Sequence, residues 1–160
     1  MALGATVLTA STAERKIEAR LIWGTNEDAS PEPSHKPLQG DLARKLAEMP
    51  LKWKNYFEVD RKVFTINDKV YTNVVMSKKC TIEVKDKGNN NVTVKLYGEG
   101  KPVNRVDKPL PKGEVLAIGG EAKGKNAWFI TVRPVNGDGK PDTRKDVKPA
   151  NAAAKPAPQK

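Results

Sequence analysis

Between Glu14 and Val135 apolar positions recur at every second residue. Ile17, Ala19, Leu21 and Trp23 alternate with Lys16, Glu18 and Arg20, the pattern of a strand with one face buried. Cys80, Ile82 and Val84 alternate with Thr81, Glu83 and Lys85, and Val92, Val94 and Leu96 with Thr93, Lys95 and Tyr97. Between these two runs lies Asp86-Lys87-Gly88-Asn89-Asn90-Asn91, rich in residues that tolerate positive φ, which predicts a hairpin. Further strands are predicted over 56–66, 70–76, 102–106, 114–118 and 126–134. In the last, Trp128, Ile130 and Val132 share one face while Ala127, Phe129 and Thr131 take the other. Trp23 and Trp128 are both expected in the core.

One stretch carries helical spacing. Asp41 to Met49 places Leu42 and Leu46 four apart, with Asp41 as the expected cap and Pro50 closing the segment. The approach over Ser30–Pro37 is a polar, proline-rich loop. Short strands at this spacing predict a mostly β domain, a small sandwich or open barrel with one short helix near 41–49.

The ends differ from the middle. From Asn136 to Lys160 Val147 is the only large aliphatic, and Pro141, Pro149, Pro156 and Pro158 interrupt the chain. Such a segment buries too little apolar surface to offset its ordering entropy, so a disordered Lys/Pro/Ala-rich tail is expected over 136–160. Residues 1–13, MALGATVLTASTA, are uncharged and end in the small-residue pattern Ser11-Thr12-Ala13. They read as the back half of a signal peptide lacking its basic start, which places the protein in the periplasm or outside the cell. The alternative is a frayed terminus of a cytoplasmic protein. The β-domain is then residues 14–135.

Composition narrows the function classes. The chain of 160 residues has a single cysteine and a single histidine, which excludes an internal disulfide framework, Cys-built zinc sites and His-pair metal sites. No apolar run approaches the roughly 18–20 residues of a membrane-spanning helix. The net charge of +10 comes from 22 Lys and 7 Arg against 19 acids, and residues 14–135 carry +7 of it. Scattered lysine gives a sequence-blind surface, whereas base reading leans on arginine.

No catalytic constellation stands out. His35, between Pro33 and Pro37, is expected to be solvated, with neither a nucleophile nor an orienting group assigned to it. Cys80 shares a face with Ile82 and Val84 and is expected to be a small buried hydrophobe, although Lys78 and Lys79 precede it. Carboxylates interleave with lysines at 58–62 and 83–87, the pattern of a solvated sheet face. Gly98-Glu99-Gly100-Lys101 lacks the spacing and following helix of a phosphate loop and reads as a turn, as does Gly119-Gly120. The strongest candidate contact with a polyanion or other ligand is Lys52-Trp53-Lys54-Asn55-Tyr56, where aromatics interleave with charge in a way that suits stacking on bases or sugars. Lys52, Trp53, Lys54 and Tyr56 are its candidate residues, against the plainer reading that Trp53 and Phe57 enter the core.

The segments LKWKNYFEV at 51–59, KCTIEVK at 79–85 and LPKGEVLAIGG at 110–120 resemble small exported β-domain proteins of bacterial envelopes, a group with no known activity. The resemblance spans residues 14–135 and implies export. Together these features predict a non-catalytic exported β-module without a cofactor, binding anionic envelope polymers or another envelope protein. The alternative is a cytoplasmic, sequence-nonspecific nucleic-acid-binding β-barrel. An enzyme built on a carboxylate pair has the least support.

Overall fold

The computed structural model describes residues 14–119 and 126–141. The segment 1–13, the stretch 120–125 and the tail from 142 onward lie outside the described residues. The described chain is mostly β, with two antiparallel sheets and one short helix. The elements are β1 (Glu14–Thr25), β2 (Lys36–Pro37), α1 (Gly40–Glu48), β3 (Asn55–Asn67), β4 (Thr72–Ser77), β5 (Cys80–Gly88), β6 (Asn91–Gly98), β7 (Lys101–Pro109), β8 (Leu116–Gly119) and β9 (Ala127–Pro134). The first sheet has the order β2-β3-β1-β9-β8 and the second β4-β5-β6-β7.

The alternation of apolar residues becomes the sandwich core. Ile17, Ala19 and Leu21 of β1 and Ile130 and Val132 of β9 face Ile82, Val84, Val94 and Leu96 of the second sheet. All are buried, and apolar area removed from water at roughly 25 cal/mol per Å² drives the two sheets together. Trp128 packs on this core while remaining half-buried. Trp23, paired with Trp128 across β1 and β9, is also half-buried rather than enclosed. The β5–β6 hairpin turns through Gly88, Asn89 and Asn90 at φ of 80°, 52° and 63°, the left-handed region that these residue types enter at least cost.

The first sheet is covered on its second face as well. Leu42 and Leu46, four apart on α1, bury against Ile22 of β1 and Phe129 of β9, with Leu38, Met49, Leu51 and Tyr56 around them. Asp41, expected as the helix cap, instead lies inside the first turn. The cap position is Gln39, whose side chain makes no capping bond. Asp41 is drawn away by cations: it accepts a hydrogen bond from Arg44 at 2.8 Å and lies 3.6 Å from Arg133 of β9. Beyond the helix the same face is charged. Glu18, 1 % exposed, accepts hydrogen bonds from Arg20 at 2.7 Å, Arg61 at 2.7 Å and Arg133 at 2.9 Å.

Residues 136–141, expected to begin the tail, form a turn closed by a Val135–Pro141 bridge. Its Gly137 and Gly139 carbonyls accept bonds from Lys16 at 2.8 Å and Arg61 at 3.2 Å.

Candidate polyanion-binding surface

The residues singled out in the sequence lie just before β3 and at its start. Lys52 and Lys54 are exposed, while Trp53 and Tyr56 are half-buried. The Trp53 ring stacks on Phe129 with centroids 6.2 Å apart, and Tyr56 meets the same ring edge-on at 5.9 Å. Gly24 explains how the indole reaches this position. A Cβ at Gly24 would lie 3.0 Å from the Trp53 ring, so the bare backbone of β1 lets the indole lie flat against it. Burial raises the Tyr56 phenol above its ordinary range. The two aromatics therefore serve the second, smaller core under α1. Lys54 and Tyr56 also line a depression of about 300 Å³ together with Asp28, Leu38, Ala43 and Phe57.

His35 is not solvated: its side chain is only 10 % exposed. Its Nδ1 lies 2.5 Å from the Ser30 hydroxyl, its Nε2 lies 3.5 Å from the Glu32 carboxylate, and the His35 backbone N–H donates to the Glu32 backbone carbonyl at 3.1 Å. All these partners belong to residues 30–35, so the ring fastens the proline-rich loop onto itself. Cys80 is 3 % exposed on the core face, and burial pushes its thiol up to about 11, away from the thiolate that reactivity requires. Among the described residues no three His, Cys, Asp or Glu side chains gather in a way that could hold a metal ion.

The most coherent polar surface is the outer face of the second sheet. Alternation that sends Ile82, Val84, Val94 and Leu96 inward sends Glu83, Lys85, Lys95 and Tyr97 outward. Tyr71, one residue before β4, joins them. The Lys95 ammonium sits 3.9 Å from the centroid of the Tyr71 ring and the Lys85 ammonium 5.6 Å from it, a cation–π arrangement. Tyr97 donates to Glu83 at 3.0 Å, which holds the phenol above its ordinary range, and Lys95 lies 3.7 Å from the same carboxylate. Thr93 donates to Asp107, and Arg105 bonds that carboxylate at 3.2 Å. Hydrogen bonding from Thr93 first, and then from Arg105, outweighs desolvation and leaves Asp107 below the usual carboxylate range.

A register shift between Leu96 and Tyr97 leaves Val103 without a partner in β6. There the sheet opens a shallow groove of about 310 Å³ lined by Lys95, Tyr97, Pro102, Asn104 and Arg105. The alternation in β5 and β6 shows which of these side chains point outward. It does not reveal that Tyr71, outside any strand, comes to lie between two lysines. The face thus offers fixed cations, hydrogen-bonding carboxylates and two aromatic rings on a rigid sheet. No known protein family, curated protein or solved structure matches this chain.

Proposed function

We propose that the protein is a non-catalytic binding module of the bacterial envelope that holds an extended, anionic, hydroxyl-rich polymer against the outer face of β4–β7. The observation that carries this reading is Tyr71 flanked by the Lys95 and Lys85 ammonium groups at 3.9 and 5.6 Å. Cations steer and hold a polyanion without defined contacts. Glu83 and Asp107 on the same face suit a hydroxyl-rich chain, whose hydroxyls can donate to carboxylates that Lys95 and Arg105 already balance in charge. The uncharged segment 1–13 supports a site of action outside the cytoplasm.

The test is a salt titration of the full chain against an anionic polysaccharide, a neutral one, single-stranded DNA and duplex DNA. Binding to the anionic polysaccharide is expected to be weak and steeply salt-dependent. Nonspecific polyanion contacts to DNA, for comparison, lie at about 10⁻⁴–10⁻⁶ M. Lys95→Glu is expected to weaken polysaccharide binding at least several-fold, and Lys52→Glu to change it little. Nanomolar binding to single-stranded DNA that survives physiological salt would replace this reading with the nucleic-acid one. Polysaccharide binding indifferent to Lys95→Glu would remove the face from consideration.

A further inference from the structure

The outer face of the first sheet, beside α1, gathers arginine in a chain built mostly on lysine. Four of the seven arginines, Arg20, Arg44, Arg61 and Arg133, surround three carboxylates, Glu18, Glu58 and Asp41. Lys45 joins them at 4.0 Å from Asp41. Within this cluster five cations meet three acids, an excess of two positive charges. Arg20 and Arg61 stand directly opposite each other in the β1–β3 pair, and like charges so placed destabilise a sheet. Glu18 lies between them, but one carboxylate balances one guanidinium and here it serves three.

The guanidiniums engage their carboxylates with only part of each fork. Arg61 uses Nε and Nη2, and Arg20 uses Nε and Nη1. The remaining Nη of each has no partner among the described residues. The two side chains are 43 % and 15 % exposed above the enclosed Glu18, so the cluster is open to solvent on the side away from that carboxylate. Thr131 is an independent sign. It lies opposite Arg20 in the β1–β9 pair, on the same face, and is 2 % exposed. Its hydroxyl bonds no described residue, although an enclosed polar group without a partner is costly.

We propose that this cluster binds a phosphate dianion, free or carried as a monoester on a sugar, with Arg20, Arg61 and Thr131 donating to its oxygens. Charge complementarity selects the ligand. A phosphate monoester carries about −1.5 to −2 at neutral pH, which matches the excess of two. Arginine forks meet phosphate oxygens bidentately where lysine offers only a point charge. Glu18 holds the forks from beneath, the supporting role that keeps binding side chains in a fixed geometry. The site lies on the opposite side of the sandwich from Tyr71 and Lys95 and is separate from the polymer-binding face.

The test is an NMR titration of the full chain with inorganic phosphate, a hexose phosphate and acetate at constant ionic strength, following the arginine Nε–H resonances. Both phosphates are expected to shift Arg20 and Arg61 with saturation in the millimolar range or below, and acetate is expected not to. Tighter binding of the hexose phosphate would identify the ester as the source, and tighter binding of inorganic phosphate the free ion. Arg61→Lys keeps the charge but loses the fork and is expected to weaken binding at least several-fold. Thr131→Val is expected to weaken it without lowering the thermal midpoint, since the hydroxyl holds nothing within the protein. Lys95→Glu is expected to leave it unchanged. Absence of a saturable shift with phosphate, or binding indifferent to both Arg61→Lys and Thr131→Val, would overturn the proposal. Loss of phosphate binding in Lys95→Glu would overturn it too, by placing the anion on the other sheet.

Discussion

Cys80 begins β5 with its thiol inside the sandwich, and desolvation raises its pKa to about 11. At neutral pH its thiolate fraction is therefore far below that of an ordinary cysteine, and reagent has to wait for the fold to open. Labelling by a thiol reagent in native buffer should be slow and should accelerate sharply in denaturant; rapid native labelling would show that β5 does not face the core. This position was legible in the sequence because Ile82 and Val84 set the phase of the strand. His35 was not. No periodicity runs through Ser30–Pro37, so nothing in the sequence indicated that Ser30 and Glu32 fold around the imidazole. Trp53 illustrates the same limit, since its ring is placed by Phe129 and Gly24, residues of two other strands.

The nine-residue helix and strands β1, β5 and β6 follow the hydrophobic periods closely, whereas β7 is exposed along nearly its whole length and the two-residue β2 had no signal to announce it. What the pattern concealed is that β1 is covered on both faces. Read alone, Glu18 and Arg20 mark a solvated side; in the fold α1, Arg61 of β3 and Arg133 of β9 cover it, because residues far along the chain return there. At Gly24 this covering leaves no room for a side chain. A methyl group added there would meet the Trp53 ring at 3.0–3.1 Å, and overpacking of this kind costs about 1–3 kcal/mol. Gly24→Ala should lower the thermal midpoint by several degrees and shift the tryptophan emission. The loss in the double variant Gly24→Ala, Trp53→Ala should be smaller than the sum of the single losses, because the clash disappears with the indole. Full additivity would mean that the two residues do not touch.

At the scale of the whole molecule, the charged cluster around Glu18 links stability to pH. Burial by itself would raise the Glu18 pKa, but hydrogen bonds and charge from Arg20, Arg133 and Arg61 outweigh it and leave the carboxyl below its usual range. A pKa depressed by folding stabilises the protein above the unfolded value of about 4.3 and ceases to do so as pH falls through the folded value. Asp41 and Asp107 are depressed as well and act in the same direction. The thermal midpoint should thus be level from neutral pH to about 5 and fall steeply on further acidification. Glu18→Gln strands three arginines, one of them only 7 % exposed. It should cost about 3–5 kcal/mol at neutral pH, the usual penalty for breaking a buried pair. Variant and wild type should converge in acid, where Glu18 is protonated in both the folded and unfolded chain. A constant gap at all pH values would show that the loss comes from packing and not from charge.

The pairing of β1 with β9 also governs how the chain can be made. Glu18 and Arg133 lie 115 residues apart, and β1 carries β9 along one of its edges. During synthesis β1 leaves the ribosome well before β9 and stays without that neighbour until β9 follows it out. Contacts of such high sequence separation are slow to form, because loop-closure entropy is lost before they contribute. Until then the nascent chain displays an apolar, hydrogen-bond-hungry strand, the kind of species that chaperones hold against aggregation. Until β9 has emerged the sandwich stays open along β1, and that interval sets how long a chaperone has to shield the strand.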